Sequence, residues 1–225
     1  MDSTAATRQV TNTPKSPPAA ERVYSHVKRG VLDRSYEGGT LLTEGDLAGA
    51  VGVSRTPVRE ALLRLEAEGL LKLYPKKGAL VLPVSAQEIA DVVETRLLVE
   101  QHAVAKVVGA APPGLIARLE ESLAEQRGHA EHGDLAAFAV ADRSFHAEIV
   151  RAAGNRILAH LYDQLRDRQL RMGVAVMHAE PSRVAKNLTE HTRILEALRD
   201  GAAHDAAEVV DRHVSWVKVL ARGES

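Results

Sequence analysis

The sequence has no cysteine, so it can form neither a disulfide nor a thiolate metal site, which suits a cytoplasmic protein. Aromatic residues make up only 3% of it, which disfavours a platform that stacks single-stranded bases. No apolar run is long enough to span a bilayer, and the N-terminus lacks the apolar stretch of a secretory signal, so no membrane partner is expected. A large charge of one sign is missing too: the formal net charge is −1, which argues against a protein coated in nucleic acid. The imbalance that exists is local. Residues 21–83 carry 10 basic against 8 acidic side chains, and residues 84–225 carry 17 against 21.

What is there is an ordinary globular composition over 225 residues, enough for one large or two modest domains. Residues 1–19, with Pro14, Pro17 and Pro18 among Thr, Ser and Ala, offer almost nothing to bury and read as a disordered leader. Val23, Val27 and Val31 then recur at helical spacing to about Arg34, before Gly38-Gly39. Thr43 can cap a short helix from Glu44 to about Ala50, which Gly52 breaks. A third helix follows, N-capped by Ser54 or Thr56, with Pro57 in its first turn and Val58, Leu62 and Leu65 as its buried stripe. Two β-rich runs, Leu70–Tyr74 and Ala79–Val84, joined by Pro75-Lys76-Lys77-Gly78, predict a hairpin.

Beyond Pro83 the pattern is helical throughout. Ser85 and Glu88 have capping-box spacing at the head of a helix to about Val108. Helices follow at about 115–130, 134–152, 155–178, 182–199 and 203–221. The predicted fold class is therefore mainly α: three helices plus a β-hairpin wing over 20–83, then an all-α bundle of about six helices over 85–221.

Three helices and a wing make a winged helix-turn-helix, in which the third helix can enter a major groove. Arg55 and Arg59 lie four apart near its N-terminus, opposite the apolar stripe, and arginine suits both a guanine edge and a phosphate. Ser54 and Thr56 can hydrogen-bond phosphate at the helix start, and Lys76 and Lys77 sit at the wing tip. Each feature alone is ordinary solvated surface. Their coincidence with the places where a winged helix must touch DNA favours the DNA reading.

The run Gly39-Thr-Leu-Leu-Thr-Glu-Gly-Asp-Leu-Ala, with Gly52-Val-Ser-Arg-Thr-Pro-Val-Arg-Glu-Ala-Leu and Leu65-Glu-Ala-Glu-Gly-Leu, resembles the DNA-binding domain of the GntR family. The resemblance implies that Arg55 and Arg59 read bases, that Glu44, Ser54 and Thr56 position the helix, and that Gly78 lets the wing approach the minor groove. It also implies a homodimer on a short palindromic operator of double-stranded DNA.

In the helical half, Leu135, Phe138, Ala139 and Ile149 mark a buried stripe, and Asp142 and His146 fall on it. Val184, Leu188, Leu195 and Leu198 mark another that includes His191, and His213 lies among Val209, Val210, Trp216, Val217 and Leu220. A lone histidine on such a face is commonly a satisfied core residue. Four polar groups converging from three helices can offset their burial jointly by binding a divalent ion, and imidazole with carboxylate suits zinc, nickel, manganese or iron. A metal-free Asp–His cluster is the alternative.

This half is similar to the FCD effector domain of the FadR-like branch of that family, with Asp142-Arg-Ser-Phe-His146, His191 and His213 as the metal ligands. The resemblance implies a small organic acid bound at open coordination positions. Glu94-Thr-Arg96 matches the family's E-x-R element, so Arg96 would hold the effector's carboxylate; an Arg96–Glu100 surface pair is the competing reading. Asn187, one turn before His191, is a further candidate contact. The expected function is a ligand-responsive transcription regulator, a repressor released by a carboxylate, and not an enzyme. A metal-dependent enzyme built on the same residues, or a regulator with a metal-free pocket, are the alternatives.

Overall fold

The computed structural model describes residues 17–217, so most of the expected leader, and Leu220 in the last expected helix, lie outside the described residues. The first unit contains α1 (Ala19–Leu32), β1 (Leu41–Leu42), α2 (Glu44–Val51), α3 (Arg55–Ala67), β2 (Leu71–Tyr74) and β3 (Gly78–Val81). Val23, Val27 and Val31 of α1 close on Leu47 of α2 and on Val58, Leu62 and Leu65 of α3, with Ala79 and Val81 completing the core. Thr43 caps α2 by accepting from the Asp46 amide, and Gly52 ends it with a left-handed φ of 68°. Ser54 occupies the N-cap position of α3, but its hydroxyl makes no capping bond.

The wing differs from the expected two-stranded hairpin. Leu41 and Leu42 pair antiparallel with Leu80 and Ala79, giving a three-stranded sheet of order β1-β3-β2. Two residues carry no period-2 signal, so only the partner strand makes them a strand. This pairing also explains Gly78. Its φ is 123°, and a Cβ there would lie 2.3 Å from the Leu42 carbonyl oxygen. The glycine is thus required by the wing's own packing, whatever it does for DNA.

The second unit is all helical: α4 (Ala86–Val107), α5 (Leu115–Glu131), α6 (Leu135–Ala152), α7 (Arg156–Gln164), α8 (Arg166–Ala179), α9 (Arg183–Asp200) and α10 (Ala203–Ser215). These are seven helices among the described residues rather than about six, because the segment expected to be one helix at 155–178 breaks at Leu165. Leu165 keeps right-handed dihedrals (φ −81°, ψ −5°), and its amide bonds three residues back to Tyr162. A break that never leaves the helical region needs no glycine or proline, and none marks it in the sequence. Half of the expected capping box forms: Ser85 accepts from the Glu88 amide, while the Glu88 carboxylate pairs instead with Arg171 of α8, each oxygen 2.6 Å from Nη2.

Arg171 is buried, and its Nη1 donates to the carbonyl of Leu82, just after the wing. Lys28 of α1 reaches Asp167 of α8 at 2.5 Å and Glu68 at 2.9 Å. Helix α8 therefore touches α1, the segment after the wing, and the interior of the helical unit. A Gly78→Ala substitution should cost about 1–3 kcal/mol through strain and the clash with Leu42. Urea unfolding followed by circular dichroism measures this; unchanged stability would mean that β1 can move away freely.

Candidate metal centre and DNA-binding face

Asp142 and His146 project from one face of α6, His191 from α9 and His213 from α10. His146, His191 and His213 are 1%, 0% and 4% exposed, and Asp142 is half-buried. The three Nε2 atoms form a near-equilateral triangle with edges of 3.1, 3.1 and 3.3 Å, and Asp142 Oδ1 lies 3.5 Å from His191 Nε2. The ring of Phe145 stacks on His191 at 4.7 Å between centroids.

The far side of each imidazole fixes its proton. His146 Nδ1 lies 2.9 Å from Glu100 Oε2, His191 Nδ1 lies 2.7 Å from Gln126 Oε1, and His213 Nδ1 lies 2.8 Å from Glu190 Oε2. Although Arg183 Nη2 also lies 3.1 Å from His213 Nδ1, these oxygens suit the tautomer with a hydrogen on every Nδ1, the one a metal-bound imidazole takes. In it all three Nε2 lone pairs face one another. Lone pairs that close repel unless a cation sits between them. Two nitrogens each about 2.0–2.1 Å from one ion, at angles between square and tetrahedral, stand about 2.9–3.4 Å apart, which is the spacing found here. The donor set thus fits a divalent ion, with Glu100, Gln126 and Glu190 orienting its ligands.

Burial, then the repulsion a second proton in the cluster would meet (from His213 and His146 for His191, from His146 for His213), then Arg96 and Arg183, hold the His191 and His213 pKa values well below the ordinary histidine value. Burial raises the carboxyl of Asp142. Burial would also raise Glu100, but Arg96 and His146 outweigh it and keep the group well below the usual carboxylate range.

Arg96 was expected either at the pocket or in a surface pair with Glu100. The pair exists, with Nε 2.7 Å from Oε1, but both residues are buried. Tyr162 donates to the same Glu100 oxygen at 2.7 Å. Arg96 lines a cavity beside the metal centre together with Asp142, Asn187, Arg183 and His213, and with Met172, Gly173 and Val176 of α8. Asn187 donates from Nδ2 to Asp142 Oδ1 at 3.2 Å. The stripe on α9 runs through Arg183, Asn187, His191, Ile194 and Leu198, whereas Val184 and Leu188 are only partly buried. Arg183, paired with Glu190 and stacked over Trp216, escaped the sequence reading, as did Gln126, Glu190 and Tyr162. Spacing held two of them: Arg183-Asn187-His191 recurs every four residues, and Gln126 continues the Leu115, Leu119, Ser122 stripe of α5. Glu190 and Tyr162 carried no such signal.

At the other end of the molecule, a concave face between α3 and the wing is lined by Glu44, Arg55, Arg59, Lys76, Lys77 and Gly78, among others. Ser54 and Thr56 are exposed at the start of α3. Arg59 is two-thirds exposed and its Nε lies 2.7 Å from Glu44 Oε1, which lowers the glutamate's pKa. No described helix is long and apolar enough to cross a membrane.

A winged helix that leads with a cationic concave face, followed by a helical unit built around a buried ligand set, defines a DNA-binding transcription regulator with its own sensor domain. Residues 19–81 match the gntR family of bacterial regulatory proteins and residues 91–215 match the FCD domain, so the chain belongs to the GntR family and carries an FCD domain. It is 31% identical over 199 residues to an HTH-type transcriptional regulator in an unstable DNA locus of Streptomyces ambofaciens, covering 87% of this chain and 81% of that one. It is 27% identical over 175 residues to the gluconate operon transcriptional repressor of Bacillus subtilis, covering 78% and 70%. Among solved structures, a GntR-type regulator from Rhodococcus sp. RHA1 superposes with a TM-score of 0.78 at 22% identity, covering 92% of this chain and 98% of that one. The Escherichia coli regulator McbR/YncC superposes at 0.72 with 23% identity, covering 92% and 99%.

With folded-state values below the unfolded histidine value of about 6.5, the unfolded chain binds more protons between the two. The stability tied to His191 and His213 is complete above about pH 6.5 and is lost as pH falls through the folded values. Metal-free protein should therefore lose melting temperature between about pH 7 and pH 5, and His191→Asn should flatten that loss. A profile that the substitution leaves unchanged would place the acid sensitivity elsewhere.

Proposed function

We propose that this regulator represses transcription as a homodimer on a palindromic operator in the cytoplasm. A small organic acid, bound at a divalent ion in the FCD domain, releases it from DNA. The observation that carries the proposal is the triangle of inward Nε2 atoms with Asp142 beside it, opening on a cavity that Arg96 also lines. His146, His191, His213 and Asp142 would hold the ion, whose identity among zinc, nickel, manganese and iron depends on supply. When bound, it would act as a Lewis acid toward a carboxylate. Arg96 would add charge from the cavity wall, and its tie to Glu100 keeps its guanidinium rigid. Repression is the mode named for the gluconate relatives.

On the DNA side, Arg55 and Arg59 would read bases. Glu44, Ser54 and Thr56 would position α3 on the backbone, and Lys76, Lys77 and Gly78 would bring the wing to the adjoining groove. Helix α8 supplies the link between the ends, since Met172, Gly173 and Val176 line the cavity while Asp167 and Arg171 engage Lys28 and Leu82. An effector shifts operator affinity only by the difference in its affinity for the two arrangements, and couplings of about 1–3 kcal/mol correspond to about 5- to 150-fold.

Two substitutions test the two ends. His146→Ala should remove stoichiometric metal, measured by elemental analysis, without unfolding the winged helix; unchanged metal content would refute the centre. Arg59→Ala should weaken binding to the cognate operator by about 1–3 kcal/mol more than binding to random DNA. An equal loss on both, in fluorescence anisotropy titrations, would reduce Arg59 to a phosphate contact.

A further inference from the structure

Two amides in the cavity wall have their orientation dictated by neighbours, and each leaves one atom without a partner. Asn187 sits beside Asp142, whose carboxylate, as a ligand of the ion, can only accept, so Nδ2 faces it, at 3.2 Å. That leaves Oδ1 buried with no hydrogen-bond partner among the described residues. Gln169 sits beside Arg143, whose guanidinium can only donate, so Oε1 must face it, at 3.2 Å from Nε. That leaves Nε2 buried and likewise unpartnered. Asn187 is 9% exposed and Gln169 6%, and both line the cavity. The amides cannot turn to relieve the deficit, since Asn187 would then set oxygen against carboxylate and Gln169 would set nitrogen against guanidinium.

An unpartnered buried acceptor and donor in the wall of one cavity define what a ligand must bring. We propose that the effector is a 2-hydroxy acid with a second oxygen acceptor at its far end. Its hydroxyl donates to Asn187 Oδ1, and its distal carboxylate or carbonyl accepts from Gln169 Nε2. The hydroxyl belongs next to the anchoring carboxylate because Asn187 is bonded to Asp142, a residue of the metal centre. The distal group belongs on the α8 wall of the cavity, where Arg143 of α6 holds Gln169. Met172 and Val176, on the same helix as Gln169, supply apolar wall for the intervening carbons. This inference rests on the carboxylate-at-metal reading above and specifies the ligand it would take.

The test is a calorimetric titration of the metal-loaded full chain with three matched acids. Malate (either enantiomer) has both features, succinate lacks the hydroxyl, and lactate lacks the distal carboxylate. Malate should bind about 10- to 100-fold more tightly than either of the others, as expected when a buried polar atom is left unpaired. Asn187→Leu should erase the preference for malate over succinate, and Gln169→Leu the preference for malate over lactate, with metal content retained in both. Equal binding of all three acids would overturn this proposal while leaving the carboxylate site intact. Failure of every acid to bind would overturn the carboxylate reading itself, and this proposal with it. If a variant loses its metal or fails to fold, the comparison of the three acids on the unaltered protein decides alone.

Discussion

Three imidazole lone pairs pointing at one another across 3.1–3.3 Å are the constraint around which the helical unit is arranged. Such a cluster is unfavourable on its own, and each ring must be held from behind to keep its hydrogen off Nε2. Glu100 on α4, Gln126 on α5 and Glu190 on α9 do this, so five helices are tied to one point. The lowered pKa values of His191 and His213 express the same fact, because burial first, and then the positive charge of neighbours, opposes a proton there.

The buried Arg96–Glu100 pair extends the centre toward the cavity. Tyr162 donates to the same carboxylate oxygen, so a charge taken from water is met by several donors rather than one. Losing one partner of a buried pair costs about 3–5 kcal/mol, mostly for the charge left behind. The cavity therefore has a rigid polar group, Arg96, on the α4 side, while α8 contributes Met172, Gly173, Val176 and Met177 beside Gln169. A helix whose inner face is soft and whose outer groups grip α1 and the segment after the wing is suited to convert a change in the cavity into a change at the DNA-binding unit.

Much of this was legible beforehand. The valines of α1 and the Val58, Leu62, Leu65 stripe declared their helices, because burial on one side imposes a 3.6-residue period that a sequence displays. Asp142 and His146 declared themselves by interrupting such a stripe with groups that would not be buried alone. The break at Leu165 and the strand at Leu41–Leu42 were illegible for opposite reasons. One keeps helical dihedrals through the interruption, and the other is too short to show any period.

The order of parts, the winged helix with its basic residues, the all-helical second unit and the four groups able to hold an ion follow from the sequence alone, each from local periodicity, capping or charge within a few turns of chain. The sensor role of the helical unit came from its resemblance to the FCD domain. The tertiary structure decided which atoms meet. It set Glu190 and Glu100 behind imidazoles 23 and 46 residues away, made Arg96 and Arg183 interior groups, and left one atom of Asn187 and one of Gln169 unpaired. Hydrogen-bond partners separated by tens of residues leave no period in a chain. Only the packing of the helices, which brings those residues within 3 Å, determines the proton positions and the polarity of the cavity.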